Sequence, residues 1–135
     1  MPRKISRKGL KRKAWKAFSD YIRLRDSLAT TRSKDFCKCV TCGKTVPYPN
    51  IQAGHAIGGR NNSILFDEEL VNGQCKGCNG YRGGRYGEYS VWFIKKYGME
   101  LWEEKVTLSK QVMKNLDLEA IYKEYKEKIK VLTGV

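Results

Sequence analysis

Four of the five cysteines fall into two Cys-x-x-Cys pairs, Cys39 with Cys42 and Cys75 with Cys78, and 32 residues separate Cys42 from Cys75. Two residues between thiolates let one tight turn aim both sulfurs at a single ion, and two such turns complete a tetrahedron. The pattern predicts a structural Zn2+ held by Cys39, Cys42, Cys75 and Cys78. A redox Cys-x-x-Cys normally occurs once, in a strand-to-helix setting with few basic neighbours. The odd cysteine count also disfavours disulfides. Cys37, one residue removed from Cys39, reads as a free thiol; a register with Cys37 in place of Cys39 would widen the first pair.

The gap between the pairs exceeds the ~15–20 residues of a simple zinc ribbon, so it must carry something more. It contains the single histidine of the protein, in Ala53-Gly54-His55-Ala56-Ile57-Gly58-Gly59-Arg60. Zinc has four cysteines and does not need it. Taken alone, His55 reads as a structural histidine on a loop. The paired glycines, the following arginine and the position between two zinc half-sites argue for a reactive group. An unperturbed imidazole titrates close to neutral pH, as a general base requires.

At 135 residues the chain is expected to form one domain. It divides into a basic N-terminal helix (1–30), a zinc-bound core (34–90) and a C-terminal helical region (91–135). Leu10 to about Leu28 has helical spacing, with Trp15, Phe18 and Ile22 on one apolar stripe that reads as core. Lysines and arginines fill the other face, which is expected to be free for DNA. Val40 to Ile51, broken by Cys42-Gly43, Pro47 and Pro49, predicts a zinc knuckle followed by a short strand. Gly58-Gly59 and Asn61-Asn62 mark a loop, and Ser63–Phe66 is a candidate second strand. A helix is expected after Cys75, interrupted at Gly83-Gly84 and resumed from Glu88 to Tyr97, with Gly98 as its stop. Further helices are expected over Glu100–Lys114 and Leu118–Leu132. In the last, Ile121, Tyr125, Ile129 and Leu132 form a stripe suited to core packing or to a homodimer contact. The fold class is α+β: a small hairpin and helix around zinc, wrapped by an N-terminal helix and two or three C-terminal ones.

Net charge is +13, and residues 1–16 carry eight basic side chains and no acid. A one-sided cationic surface attracts polyphosphate and releases its counterions, so nucleic acid is the expected partner, with Lys11, Arg12 and Lys13 among its contacts. No apolar run approaches the ~20 residues of a membrane span. The basic N-terminus also lacks the apolar stretch of a secretory signal. Both features lead to the expectation of a cytoplasmic protein without a membrane partner.

Several motifs together resemble a known family. Cys39-Val-Thr-Cys42-Gly43, Gln52-Ala-Gly-His55, Ile64-Leu-Phe-Asp-Glu68, Gln74-Cys75-Lys-Gly-Cys78-Asn79 and Glu88-Tyr89 resemble the NinG or Rap recombination proteins of lambdoid phages. These are similar to the zinc-stapled HNH endonucleases, with their ββα-metal core, and the likeness runs from about Trp15 to Gly98. It implies a metal-dependent, structure-selective DNA endonuclease, in a bacterial host's cytoplasm, acting on D-loops and Holliday junctions. It further implies His55 as general base and one catalytic Mg2+ or Mn2+ with Asn79 as a ligand. Glu88 is the first choice of carboxylate ligand, ahead of Asp67 and Glu68. Arg60, Lys76, Arg82 and Arg85 would hold phosphates. Two positions depart from the HNH pattern. Gly54 stands where many such enzymes carry a metal-binding Asp or His, and Leu70 stands where the middle Asn is common; Asn72 is the candidate to replace that Asn in orienting His55. These departures favour the alternative of a DNA-junction binding protein with a decayed catalytic site. A zinc-ribbon regulator explains the charge and the cysteines but leaves His55 without a role.

Overall fold

Residues 4–134 are described by a computed structural model. Arg3, one of the eight N-terminal cations, lies outside them. Helix α1 (Arg7–Thr31) is longer than its apolar stripe because both ends are capped by polar groups. Ser6 Oγ accepts from the Gly9 N–H at 3.0 Å, and Arg32, left-handed at φ 59°, donates its N–H to the Leu28 carbonyl at 3.0 Å. The buried residues Ala14, Ala17, Phe18 and Ile22 form the inward face.

Two small antiparallel sheets follow. Strand β1 (Phe36–Lys38) pairs with β2 (Thr45–Pro47), and β3 (Ile51–His55) pairs with β4 (Val71–Cys75). The register sets Ile51 opposite Cys75, Gly54 opposite Asn72 and His55 opposite Val71. The strand expected at Ser63–Phe66 is instead a single helical turn, α2 (Asn62–Leu65). A four-residue apolar run has no period that separates strand from helix. Here Ile64 and Leu65 turn inward, and Ile64 joins a buried cluster with Ala56, Leu70, Tyr89 and Phe93. The true partner of β3 lacks an alternating pattern because Val71, Asn72, Gly73 and Gln74 are all buried.

The helix expected directly after Cys75 is a five-residue π turn, Gly77–Tyr81. Regular helix starts only at α3 (Tyr86–Tyr97), which ends at Gly98 as expected. Helix α4 (Met99–Ser109) stops five residues short of Lys114, and α5 (Leu118–Thr133) starts at the side-chain cap of Asp117.

The last helix returns to the first. Tyr125 is buried and meets Phe18 edge-on at 4.8 Å, in a cluster completed by Ala17, Ile22, Ala53 and Val71. Glu68 pins this contact, accepting from Tyr125 Oη at 2.9 Å and Lys128 Nζ at 2.7 Å. Ile121 and Tyr125, half of the stripe considered for a dimer contact, therefore pack within the chain.

The polar face of α1 is not wholly free either. Arg23 donates to the Ile51 and Tyr48 carbonyls, and Arg25 donates to those of Glu68 and Val71 and to Asn72 Oδ1. Asp26 accepts the Gly73 N–H at 2.7 Å. These clamps hold β3 and β4 against the helix.

Phe18→Ala is expected to lower unfolding free energy by about 3–5 kcal/mol, read from the denaturant midpoint. Val131→Ala, at an exposed position on α5, is expected to change it by less than about 0.5 kcal/mol.

Candidate metal centre and basic groove

The first cysteine pair sits on the turn after β1. Cys39 N–H donates to the Lys44 carbonyl at 2.7 Å, Gly43 N–H donates to the Cys39 carbonyl at 3.0 Å, and Gly43 takes φ +75°, a conformation suited to glycine. Val40 N–H donates to the Gly73 carbonyl at 2.9 Å, which ties this turn to β4 and so to the second pair. The sulfurs of Cys39, Cys42, Cys75 and Cys78 all lie within 4.8 Å of one another, and those of Cys42 and Cys75 are 3.9 Å apart. A tetrahedral Zn2+ with Zn–S bonds of about 2.3 Å has S–S edges of about 3.8 Å, so the four cysteines could hold zinc. Burial opposes ionisation of Cys39, but donors at Cys42, Cys75 and Thr41 outweigh it and pull the thiol to about 6. Burial, together with the Cys39 charge, pushes Cys75 up to about 12. Zinc binds thiolates, so metal binding at the cluster is coupled to proton release. Cys37 is outside the cluster. Its buried sulfur lies near Thr30 Oγ1, and a Cβ at Gly73 would come within 3.0 Å of it.

His55 ends β3. It is 7% exposed and stacked on Trp15, with ring centroids 5.3 Å apart and planes 16° from parallel. Its Nε2 lies 3.1 Å from the Leu65 carbonyl, which can only accept. The proton therefore belongs on Nε2, and Nδ1 keeps its lone pair. The buried side-chain polar atoms without a partner among the described residues are Ser63 Oγ and Gln74 Oε1, so Nδ1 is not sealed in. Burial, reinforced by Arg60, lowers the His55 pKa from its ordinary 6.5.

The other site candidates fall in different places. Asn72 makes no hydrogen bond to His55; its amide donates to Tyr89 Oη and the Glu69 carbonyl, and its oxygen accepts from Arg25. The Leu65 carbonyl does the orienting expected of Asn72. Tyr89 is fully buried and donates to the Gly54 carbonyl at 2.7 Å, so the tyrosine of the Glu88-Tyr89 motif stitches β3 to β4. Gly54 cannot carry a ligand side chain, since a Cβ there would clash with the Gln74 side chain. Gln74 is itself fixed, donating to the Gly84 carbonyl and Thr41 Oγ1.

A groove of about 360 Å3 runs beside β3, lined by Trp15, Ser19 and Arg23 of α1, by Gln52 of β3, and by Arg60, Lys76 and Asn79. Asn79 Nδ2 donates to Gln52 Oε1 at 2.9 Å. Arg60 takes a left-handed φ of 50° and lies over the Trp15 ring at 4.5 Å. Trp15, expected in the core, is thus a half-buried bridge between His55 and the groove. A second cavity, lined by Lys8, Lys11, Arg12, Trp15, Arg60 and Leu65, extends the cationic surface along α1. Lys13 points elsewhere, over Tyr122 of α5, while Arg85 lies beside Cys78 Sγ and Glu88. Arg82 is exposed on the loop after the π turn. Sequence reasoning missed Arg23 in the groove and Lys8 in this second cavity. Their spacing from Trp15 along α1 is the signal that could have found them.

The groove holds three cations and no carboxylate. Glu88 is exposed and paired with Arg85, Asp67 is bound by Lys105, and Glu68 by Lys128. Among the described residues, the cysteine cluster is the one group of three or more such side chains placed to hold a metal. The residues beside His55 do not fit a resident Mg2+ or Mn2+ held by Asn79 and Glu88.

Metal analysis of the purified chain is expected to give one zinc per molecule, retained by Cys37→Ser and lost by Cys75→Ser. Gly54→Ala is expected to destabilise the protein by about 1–3 kcal/mol through overpacking against Gln74, measured by chemical denaturation.

No helix among the described residues is long and apolar enough to cross a membrane. No curated protein and no solved structure matches the chain. One family model does: NinG, described as the bacteriophage Lambda NinG protein, over residues 3–134. The zinc-compatible cysteines and the basic groove beside His55 therefore lie in a chain that belongs to the NinG family of phage recombination proteins.

Proposed function

We propose that this chain is a structure-selective DNA endonuclease of the HNH type, acting on branched recombination intermediates such as D-loops and Holliday junctions. The observation that carries the reading is His55: an imidazole with its Nε2 proton engaged by Leu65 and its ring stacked on Trp15, which lines a groove together with Arg23, Arg60 and Lys76. The strand-strand-helical turn order of β3, β4 and Gly77–Tyr81, closed by the cysteine cluster, supports it too.

In this mechanism His55 Nδ1 takes a proton from water. The water oxygen bonds to phosphorus in line as the bond to the 3′ oxygen breaks, and the leaving oxygen is protonated from solvent. The products carry 5′-phosphate and 3′-hydroxyl ends. Arg60 and Lys76 hold the phosphate and offset the charge that grows on it. Lys8, Lys11 and Arg12 continue the phosphate track along α1.

The absence of a carboxylate from the groove favours a second reading, a junction-binding protein that does not cleave. Cleavage assays on linear duplex, D-loop and four-way junction DNA, in Mg2+ and in Mn2+, separate the two. The endonuclease predicts nicking that falls by about 100-fold or more in His55→Ala. Unchanged cleavage by that variant, in protein free of contaminating nuclease, refutes it; junction binding without cleavage across the metal series establishes the second reading.

The acid limb of the rate profile is expected below the ordinary histidine value of 6.5, because burial and Arg60 both favour the unprotonated ring. Arg60→Ala should move that limb upward, since burial alone then opposes protonation.

A further inference from the structure

The loop from Gly77 to Gly84 carries an aromatic ring that the fold does not use. Tyr81 is 93% exposed, the highest value among the large hydrophobic side chains left in solvent. The backbone around it is held firmly. Arg82 N–H donates to the Gly77 carbonyl at 2.7 Å, Gly83 N–H to the Gly80 carbonyl at 2.9 Å, and Gly84 N–H to the Cys78 carbonyl at 2.8 Å. Gln74 and Asn79 tie the loop to the sheet, and Cys75 and Cys78 belong to the metal cluster. A rigid backbone presents the ring with little ordering cost on binding.

The chemistry around the ring narrows its partner. Exposed Lys76 and Arg82 stand on either side of it in the sequence, and no acid occurs between Gln74 and Gly87. Lys76 and Asn79, on the same loop, also line the basic groove. An aromatic face framed by cations matches a nucleobase with its phosphates. Paired bases in a linear duplex hide their faces in the stack, whereas strand exchange at a branch point interrupts the stack and lowers the cost of opening a base.

We propose that Tyr81 stacks on an unpaired base at a DNA branch point while Lys76 and Arg82 hold its phosphates, so that this loop selects branched over linear DNA. The proposal rests on the nucleic-acid reading above, though not on cleavage.

The test uses the full-length, zinc-loaded protein in Ca2+, with fluorescence anisotropy on a four-way junction and on linear duplex of the same sequence. A 2-aminopurine at the branch reports stacking. Tyr81→Ala is expected to weaken junction binding roughly tenfold, to change duplex binding by less than about twofold, and to abolish the 2-aminopurine signal. Tyr81→Phe, which keeps the ring, should behave as wild type. An equal loss on both DNAs, no loss on either, or a wild-type protein with no junction preference overturns the proposal. Binding to no DNA at all by the wild-type protein overturns the nucleic-acid reading along with it. A junction preference that survives Tyr81→Ala overturns this inference alone.

Discussion

The structure depends on bringing two turns 32 residues apart to one point. Strands β3 and β4 have five residues each and form a two-stranded sheet, an element that is marginal in water by itself. The turn at Cys39–Cys42 and the turn at Cys75–Cys78 meet at the end of that sheet, and Val40 bonds directly to Gly73 of β4. A cation there would close the long loop containing His55 and stabilise the folded arrangement by binding it and not the unfolded chain. The zinc-compatible cluster therefore acts on the histidine by confining the segment that bears it.

Helix α1 is the second constraint. Its apolar stripe supplies Phe18 and Ile22 to the core, while Arg23, Arg25 and Asp26 bond to the backbone of the two strands and the turn before them. Charged side chains bonded to otherwise unpaired backbone groups are worth more than exposed ion pairs, because they satisfy groups that burial would leave orphaned. One helix thus serves as core, as clamp for the sheet, and, through Lys8, Arg12 and Trp15, as one wall of the basic surface.

Beside His55 opposing influences act, and those that lower its pKa outweigh the Leu65 hydrogen bond and the Asp67 charge that raise it. Burial lowers the imidazole pKa, and Arg60 adds to the effect. Both of the carboxylates that the sequence brings closest, Asp67 and Glu68, are held by lysines and by neighbouring backbone or tyrosine groups. They organise the loop between α2 and β4 and tie it to α4 and α5. The result is an imidazole held toward its neutral form and stacked on Trp15, which lines a groove that holds three cations and no carboxylate.

The sequence by itself determined the features governed by local spacing. The two Cys-x-x-Cys turns, the apolar stripe of α1 and the stop at Gly98 could all be read from it, because each is encoded within one or two turns of chain; His55, expected on a loop after a strand ending near Ile51, is instead the last residue of β3. Only the tertiary structure decided the features that depend on what lies opposite. Ser63–Phe66 became a helical turn that sends Ile64 into one buried cluster and Phe66 against the other, and Asn72 turned to Tyr89 and Arg25 instead of His55. Gly54 is confined by the close approach of Gln74, twenty positions away. The four cysteines were legible at once because their type and spacing suffice to specify a tetrahedron. The surroundings of His55 were not, because the groups that orient and neutralise it, Leu65, Arg60 and Trp15, are brought together by packing.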